Sequence, residues 1–306
     1  MKATIFTEAG ESFGFGHLTR CIGLYQGFEE EGLEVEMIVN CDSKAEFLLN
    51  GINFRVMNWA EQRERVYEIL KNTDIVIIDS YTADLEFYRG VSKTVKTPVY
   101  IDDYMRLDYP EGIVVSPSIY GDKLNYPKKE GVRYLLGKDY IILRKEFLNV
   151  PEKKINKDIK NILITFGGAN HKNLSEKISE YLKEKFKINS YIVDPTNNYT
   201  AKDMLKFMLK ADICISGGGQ TTYELARVGV PTIGICFAEN QLNNLIYGQE
   251  EGYLKFAGWF NDLNLIKNIV KILENADNNE RNQMSVKGRI LVNGNGVKNI
   301  VETVQS

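Results

Sequence analysis

Residues 3–7, 34–39, 74–79 and 98–101 are short apolar runs, the pattern of strands buried on both faces of a sheet. Between them, residues 17–31, 44–49 and 62–72 place apolar positions at helical spacing, so strand and helix alternate. Residues 151–160 break the pattern. They are charged, hold Pro151 and Asn156 without apolar periodicity, and read as a linker or surface loop. The alternation then resumes, with strands expected at 161–165, 189–193, 213–216 and 232–236 and helices at 172–185, 223–228 and 263–276. A tail from Asn282, with a glycine break at Gly294 and Gly296, is expected to form a closing helix. Alternating strands and helices build a parallel sheet wrapped on both faces. The expectation is therefore two similar α/β domains, 1–152 and 158–282, with a closing segment over 283–306.

The length of 306 residues suits two domains of about 150 each. The net charge of -3 offers no general positive field to nucleic acid or anionic lipid, so neither is expected as a partner. A diphosphate would have to be held by local devices. The four cysteines, Cys21, Cys41, Cys214 and Cys236, form no C-x-x-C pair and read as reduced thiols. The first residues run directly into a strand, and no stretch of about 18 apolar residues occurs, so a soluble, cytoplasmic protein without membrane insertion is expected. There is no H-E-x-x-H, cysteine cluster or concentrated aspartate motif, so no metal or other cofactor is expected.

Open parallel sheets bind ligands beyond the carboxyl ends of their strands, and three glycine loops fall there. The first, E-S-F-G-F-G-H-L-T-R, carries Gly14 and Gly16 ahead of His17 and Arg20. It lacks the G-K-[ST] ending of a Walker loop, and Arg20 breaks a full G-x-G-x-x-G. The second is T-F-G-G-A-N (165–170) and the third S-G-G-G-Q-T-T-Y-E-L-A (216–226). Consecutive glycines before a helix leave N–H groups at the positive end of its dipole, which suits phosphate oxygens. Thr221 and Glu224 also match a capping box, the leading reading of that pair, while Glu224 has a ribose hydroxyl as its alternative partner. A neutral His17 in a strand-to-helix glycine loop can serve as a general base. Asp79, Asp102 and Asp103 end predicted strands, where aspartates commonly start turns or contact ligands.

These residues resemble a known family. G-F-G-H-L-T-R (14–20) looks like the G-x-G-H-x-x-R signature of PseG, the UDP-sugar hydrolase of pseudaminic acid biosynthesis. The likeness continues through I-I-D-S-Y (77–81), I-D-D-Y (101–104), I-T-F-G-G-A-N (164–170), I-S-G-G-G-Q-T-T-Y-E-L-A-R-V-G-V-P (215–231), A-E-N-Q (238–241) and L-V-N-G-N-G (291–296). The resemblance implies a GT-B fold related to MurG: two Rossmann-like domains whose parallel sheets face across a cleft. It implies hydrolysis of UDP-2,4-diacetamido-2,4,6-trideoxy-β-L-altropyranose to UDP and free sugar, with inversion by direct water attack. His17 maps to the base and Asn240 to a second catalytic residue. The UDP contacts map to Gly167, Gly168, Gly218, Gly219 and Glu224, and Gly14, Gly16, Arg20, Asp79, Tyr81, Thr221, Thr222 and Gln241 are further expected contacts of substrate or UDP. A glycosyltransferase using the same donor, a UDP-N-acetylglucosamine-type epimerase and a non-catalytic nucleotide-sugar-binding protein are the competing readings.

Overall fold

Every apolar run in the first half becomes a parallel strand in the computed structural model, which describes residues 1–10, 13–167, 171–193 and 197–306. The chain divides into two units, Met1–Lys145 with Gly294–Ser306, and Glu146–Asn293.

The first unit holds seven strands: β1 (Lys2–Ala9), β2 (Glu34–Cys41), β3 (Phe54–Val56), β4 (Ile75–Asp79), β5 (Thr97–Ile101), β6 (Gly112–Ser116) and β7 (Val132–Leu136). Their order is β3-β2-β1-β4-β5-β6-β7. Successive side chains serve opposite faces. Ile5, Ile77, Val99 and Val115 join one core, and Phe6, Ile78, Tyr100 and Val114 the other. Helix α1 (Gly16–Glu30) covers the first face with Leu18, Cys21, Leu24 and Phe28. Past the one-turn α2 (Ser43–Glu46), helices α3 (Arg63–Leu70) and α4 (Leu85–Thr94) cover the second with Val66, Leu70, Phe87 and Val91. Strand order reverses direction between β1 and β4, so their carboxyl ends border the crevice where such sheets take ligands.

The second unit has five parallel strands in the order β12-β11-β10-β8-β9. They are β8 (Asn161–Thr165), β9 (Asn189–Val193), β10 (Ile213–Gly217), β11 (Thr232–Cys236) and β12 (Leu254–Trp259). Its helices are α5 (Lys172–Phe186), α6 (Ala201–Lys210), α7 (Thr221–Val228), α8 (Glu239–Glu251), α9 (Leu265–Asn275) and α10 (Asn278–Leu291). Here the order reverses between β8 and β10, which the second and third glycine loops follow.

The expected linker is a bound loop of the second unit. Buried Arg281 donates to the carbonyls of Asn156 and Lys157 at 2.9 and 2.7 Å, and Asp212 accepts from the N–H groups of Lys160 and Asn161. The expected closing segment is divided. Its first part continues the second unit as α10, while α11 (Gly296–Gln305) packs Val297, Ile300, Val301 and Val304 into the core that α1 covers. Gly294, at φ +88, makes the turn, whereas Gly296 permits contact: a Cβ there would lie 2.0 Å from the Ile141 carbonyl oxygen. Among the described residues, no helix is long and apolar enough to cross a membrane.

Candidate functional site

Helical spacing explains the first cluster. His17 and Arg20 are three residues apart in the first turns of α1, so they share one face. That face meets the carboxyl ends of β4 and β5. Arg20 binds two carboxylates at once. Its Nε and Nη2 donate to Asp79 Oδ2 and Oδ1, both at 2.6 Å. Its Nη1 and Nη2 donate to Asp103 Oδ1 and Oδ2 at 2.7 and 2.9 Å. The planar guanidinium suits this double fork, which a lysine ammonium could not reproduce. The same Asp79 Oδ1 lies 2.6 Å from His17 Nδ1. An ionised carboxylate has no proton to give, so Nδ1 carries the hydrogen and donates it, leaving Nε2 of the neutral ring as an acceptor.

Burial alone would raise the Asp79 pKa. The Arg20 guanidinium and His17 outweigh it and hold the carboxyl well below the usual range. Burial would lower the Arg20 pKa, but Asp103 and Asp79 raise it well above its ordinary value, so the group stays charged.

Tyr81 completes the cluster. Its ring meets His17 edge-on with centroids 4.3 Å apart, and its hydroxyl donates to Asp103 Oδ2. Of the two neighbouring aspartates, Asp103 faces Arg20 and Tyr81. Asp102 instead accepts from the N–H groups of Tyr104 and Arg106 and from the Tyr126 hydroxyl, shaping the turn after β5. Burial raises the Asp102 pKa against those bonds. Gly14, at φ +73, is bridged to Gly10 by bonds of 2.7 and 3.1 Å that close the first glycine loop. Gly16 opens α1 with free space where a Cβ would stand. The Cys21 thiol, 3.6 Å from Asp79 Oδ2, is pushed up by burial.

In the second unit, Gly167 turns at φ +68 after β8, and Gly168 lies outside the described residues. The third loop is braced from α8. Gln241 Oε1 accepts from the N–H groups of Gly218 (3.2 Å) and Phe237 (3.1 Å), and Asn244 Nδ2 donates to the Gly218 carbonyl. A Cβ on Gly218 would come within 2.7 Å of Leu245 Cγ. Gly218 and Gln241 thus hold each other and shape the loop, while Gly219 faces open space, with nothing within 4 Å of a Cβ. Thr222 donates its hydroxyl to the Gly219 carbonyl at 2.8 Å. The capping-box expectation needs correction. Thr221 is the first helical residue of α7, and the cap position belongs to Gln220, whose side chain makes no capping bond. Glu224 is buried in that first turn. Asn240 is exposed in the first turn of α8, in the unit that does not contain His17.

The structure therefore gathers His17, Arg20, Asp79 and Tyr81 in one unit and the second-domain residues in the other. Asp103, read from the sequence only as a strand-end carboxylate, joins the His17 cluster as well. Glu8, the residue before the last of β1, carries no sequence signal of a role. Among the described residues, no group of three or more His, Cys, Asp or Glu side chains could hold a metal ion.

Two Rossmann-like units of this kind define a GT-B, glycosyltransferase-like enzyme fold. The structure of MurG from Acinetobacter baumannii matches it with a TM-score of 0.67 at 16% identity, covering 100% of this chain and 99% of that one. Residues 142–304 match the glycosyltransferase family 28 C-terminal domain. The chain belongs to that family, and within it to the SpsG- and PseG-like GT-B proteins. The spore coat polysaccharide biosynthesis protein SpsG of Bacillus subtilis is 23% identical, covering 100% of this chain and 98% of its own. The Helicobacter pylori pseudaminic acid cytidylyltransferase and UDP-2,4-diacetamido-2,4,6-trideoxy-beta-L-altropyranose hydrolase is 24% identical over 79% of this chain. The chain spans about half the length of two curated relatives that it matches, 58% and 46%.

Proposed function

We propose that this protein hydrolyses a UDP-sugar at its anomeric C–O bond, releasing UDP and free sugar with inversion. The substrate class we assign is a UDP-diacetamido-trideoxy-hexose, the sugar named for the Helicobacter pylori relative. The observation that carries the reading is the His17–Asp79 pair, locked by Arg20 at the switch point of the first sheet. Neutral Nε2 of His17 takes the proton of the attacking water, and Asp79 stabilises the resulting imidazolium. Oxygen from water enters the anomeric carbon as the bond to the β-phosphate oxygen breaks, and UDP leaves with the bonding pair. Gly167, Gly219 and the N-terminus of α7 would stabilise the diphosphate, Glu224 would meet the ribose, and Asn240 would orient water or sugar.

The protein should release UDP from this sugar in ¹⁸O-labelled water, with the label in the sugar. His17→Ala should lower turnover at least about 100-fold while leaving UDP affinity within about threefold. UDP binding without cleavage of any UDP-sugar would sink the hydrolase reading. The family 28 match keeps one alternative in view, transfer of the sugar to an acceptor, which would put the sugar on the acceptor instead of in water.

A further inference from the structure

Glu8 lies one residue beyond Thr7, which pairs with Asp79 across β1 and β4, and its side chain is wholly buried. Oε1 accepts from the hydroxyls of Ser80 (2.7 Å) and Thr82, while Oε2 is buried with no hydrogen-bond partner among the described residues. A carboxylate in that state costs folding free energy, so stability is a poor reason for having it there. Its two donors flank Tyr81. Ser80 Oγ also accepts from the N–H groups of Thr82 and Ala83, both at 3.0 Å, so the bonds from Glu8 run on into the turn over residues 80–83. That turn carries the ring that meets His17 and the hydroxyl that reaches Asp103.

We infer that Glu8 is a positioning residue that sets Tyr81 against His17 and Asp103 through Ser80 and Thr82. Its hydrogen bonds go to the two hydroxyls beside Tyr81, so it acts on the histidine through the turn and takes no part in the proton transfer. Its effect on turnover rests on the hydrolase reading; its effect on His17 does not.

The chain has 2 histidines, so the imidazole region of a nitrogen-correlated NMR spectrum resolves His17 from His171 without ligand. Glu8→Ala should move the His17 ring signals and leave those of His171 in place. Glu8→Gln, whose amide oxygen still accepts both hydroxyls, should leave both. With UDP-2,4-diacetamido-2,4,6-trideoxy-β-L-altropyranose, Glu8→Ala should lower kcat about 10- to 100-fold and change KM less than about threefold, and Glu8→Gln should recover most of the rate. Unmoved His17 signals in Glu8→Ala, or damage in Glu8→Gln equal to that in Glu8→Ala, would overturn the inference. If Glu8→Ala does not fold, the Ser80→Ala/Thr82→Val double variant takes its place, with the same expected shift of His17 and the same overturning result. If the wild-type protein cleaves no UDP-sugar, the hydrolase reading fails and the NMR comparison still decides the role of Glu8.

Discussion

At the scale of single residues, the cluster around Arg20 is an arrangement of opposed charges out of water. One guanidinium serves two carboxylates, and one of those carboxylates also serves His17. Breaking a buried pair from one side costs about 3–5 kcal/mol when the charge left behind has no other partner. Arg20 keeps Asp103, so Asp79→Asn should destabilise the first unit by no more than about 3 kcal/mol at neutral pH. The dependence on acid follows from the direction of the Asp79 shift. Its carboxyl is held low in the fold, so its contribution is full above the unfolded value of about 3.9 and fades as pH falls toward the folded value. The gap between wild type and Asp79→Asn should therefore narrow below about pH 4. Urea unfolding read from Trp59, which is buried in the first unit, checks this in a Trp259→Phe background. A gap independent of pH would show that Asp79 is not the titrating group. His17 and Arg20 were legible in the sequence because their pairing is local, three residues apart on one helix. Asp103 was visible only as a strand-end carboxylate and Glu8 not at all, because their partners depend on which strands lie beside β4, and that information resides in long-range pairing.

Among elements, buried parallel strands were the easiest to read. Residues 161–165 and 232–236 form strands over the expected spans, since apolar runs this short have few other uses. Strand β7 places polar Arg133 at a sheet edge, and β3 is only 3 residues long, so neither carries a strong pattern. Helix α10 is rich in Asn and Arg and buries few apolar side chains, which hides its period. The Thr221–Glu224 spacing suggested a cap one residue too late, because the glycine loop itself leads into α7. Helix α11 makes a sharper demand. The carbonyl, N and C of Ile141 all lie within 2.7 Å of where a Gly296 Cβ would sit, and backbone cannot swing aside as a side chain can. Gly296→Ala should cost about 2–3 kcal/mol as the helix is pushed off, lowering the first unit's thermal midpoint by roughly 6–9 °C. An unchanged midpoint in calorimetry would mean that the helix shifts freely.

For the molecule as a whole, the proposed chemistry is divided between two units, with the proposed base in one and the loops proposed for the diphosphate in the other. Each unit carries one tryptophan, Trp59 in the first and Trp259 at the end of β12 in the second. If UDP is held by the second unit, UDP at 100 times its Kd should stabilise that unit by about 2.7 kcal/mol. Trp259 emission in a Trp59→Phe variant would report the shift, and a midpoint unmoved by saturating UDP would place the nucleotide elsewhere.

The return of α11 to the first sheet also sets an order of events during synthesis. The ribosome delivers β1 to β7 early, but Val297, Ile300, Val301 and Val304 of the same core emerge only after the whole second unit has been made. The half of the protein that is translated first is therefore the half that finishes folding last.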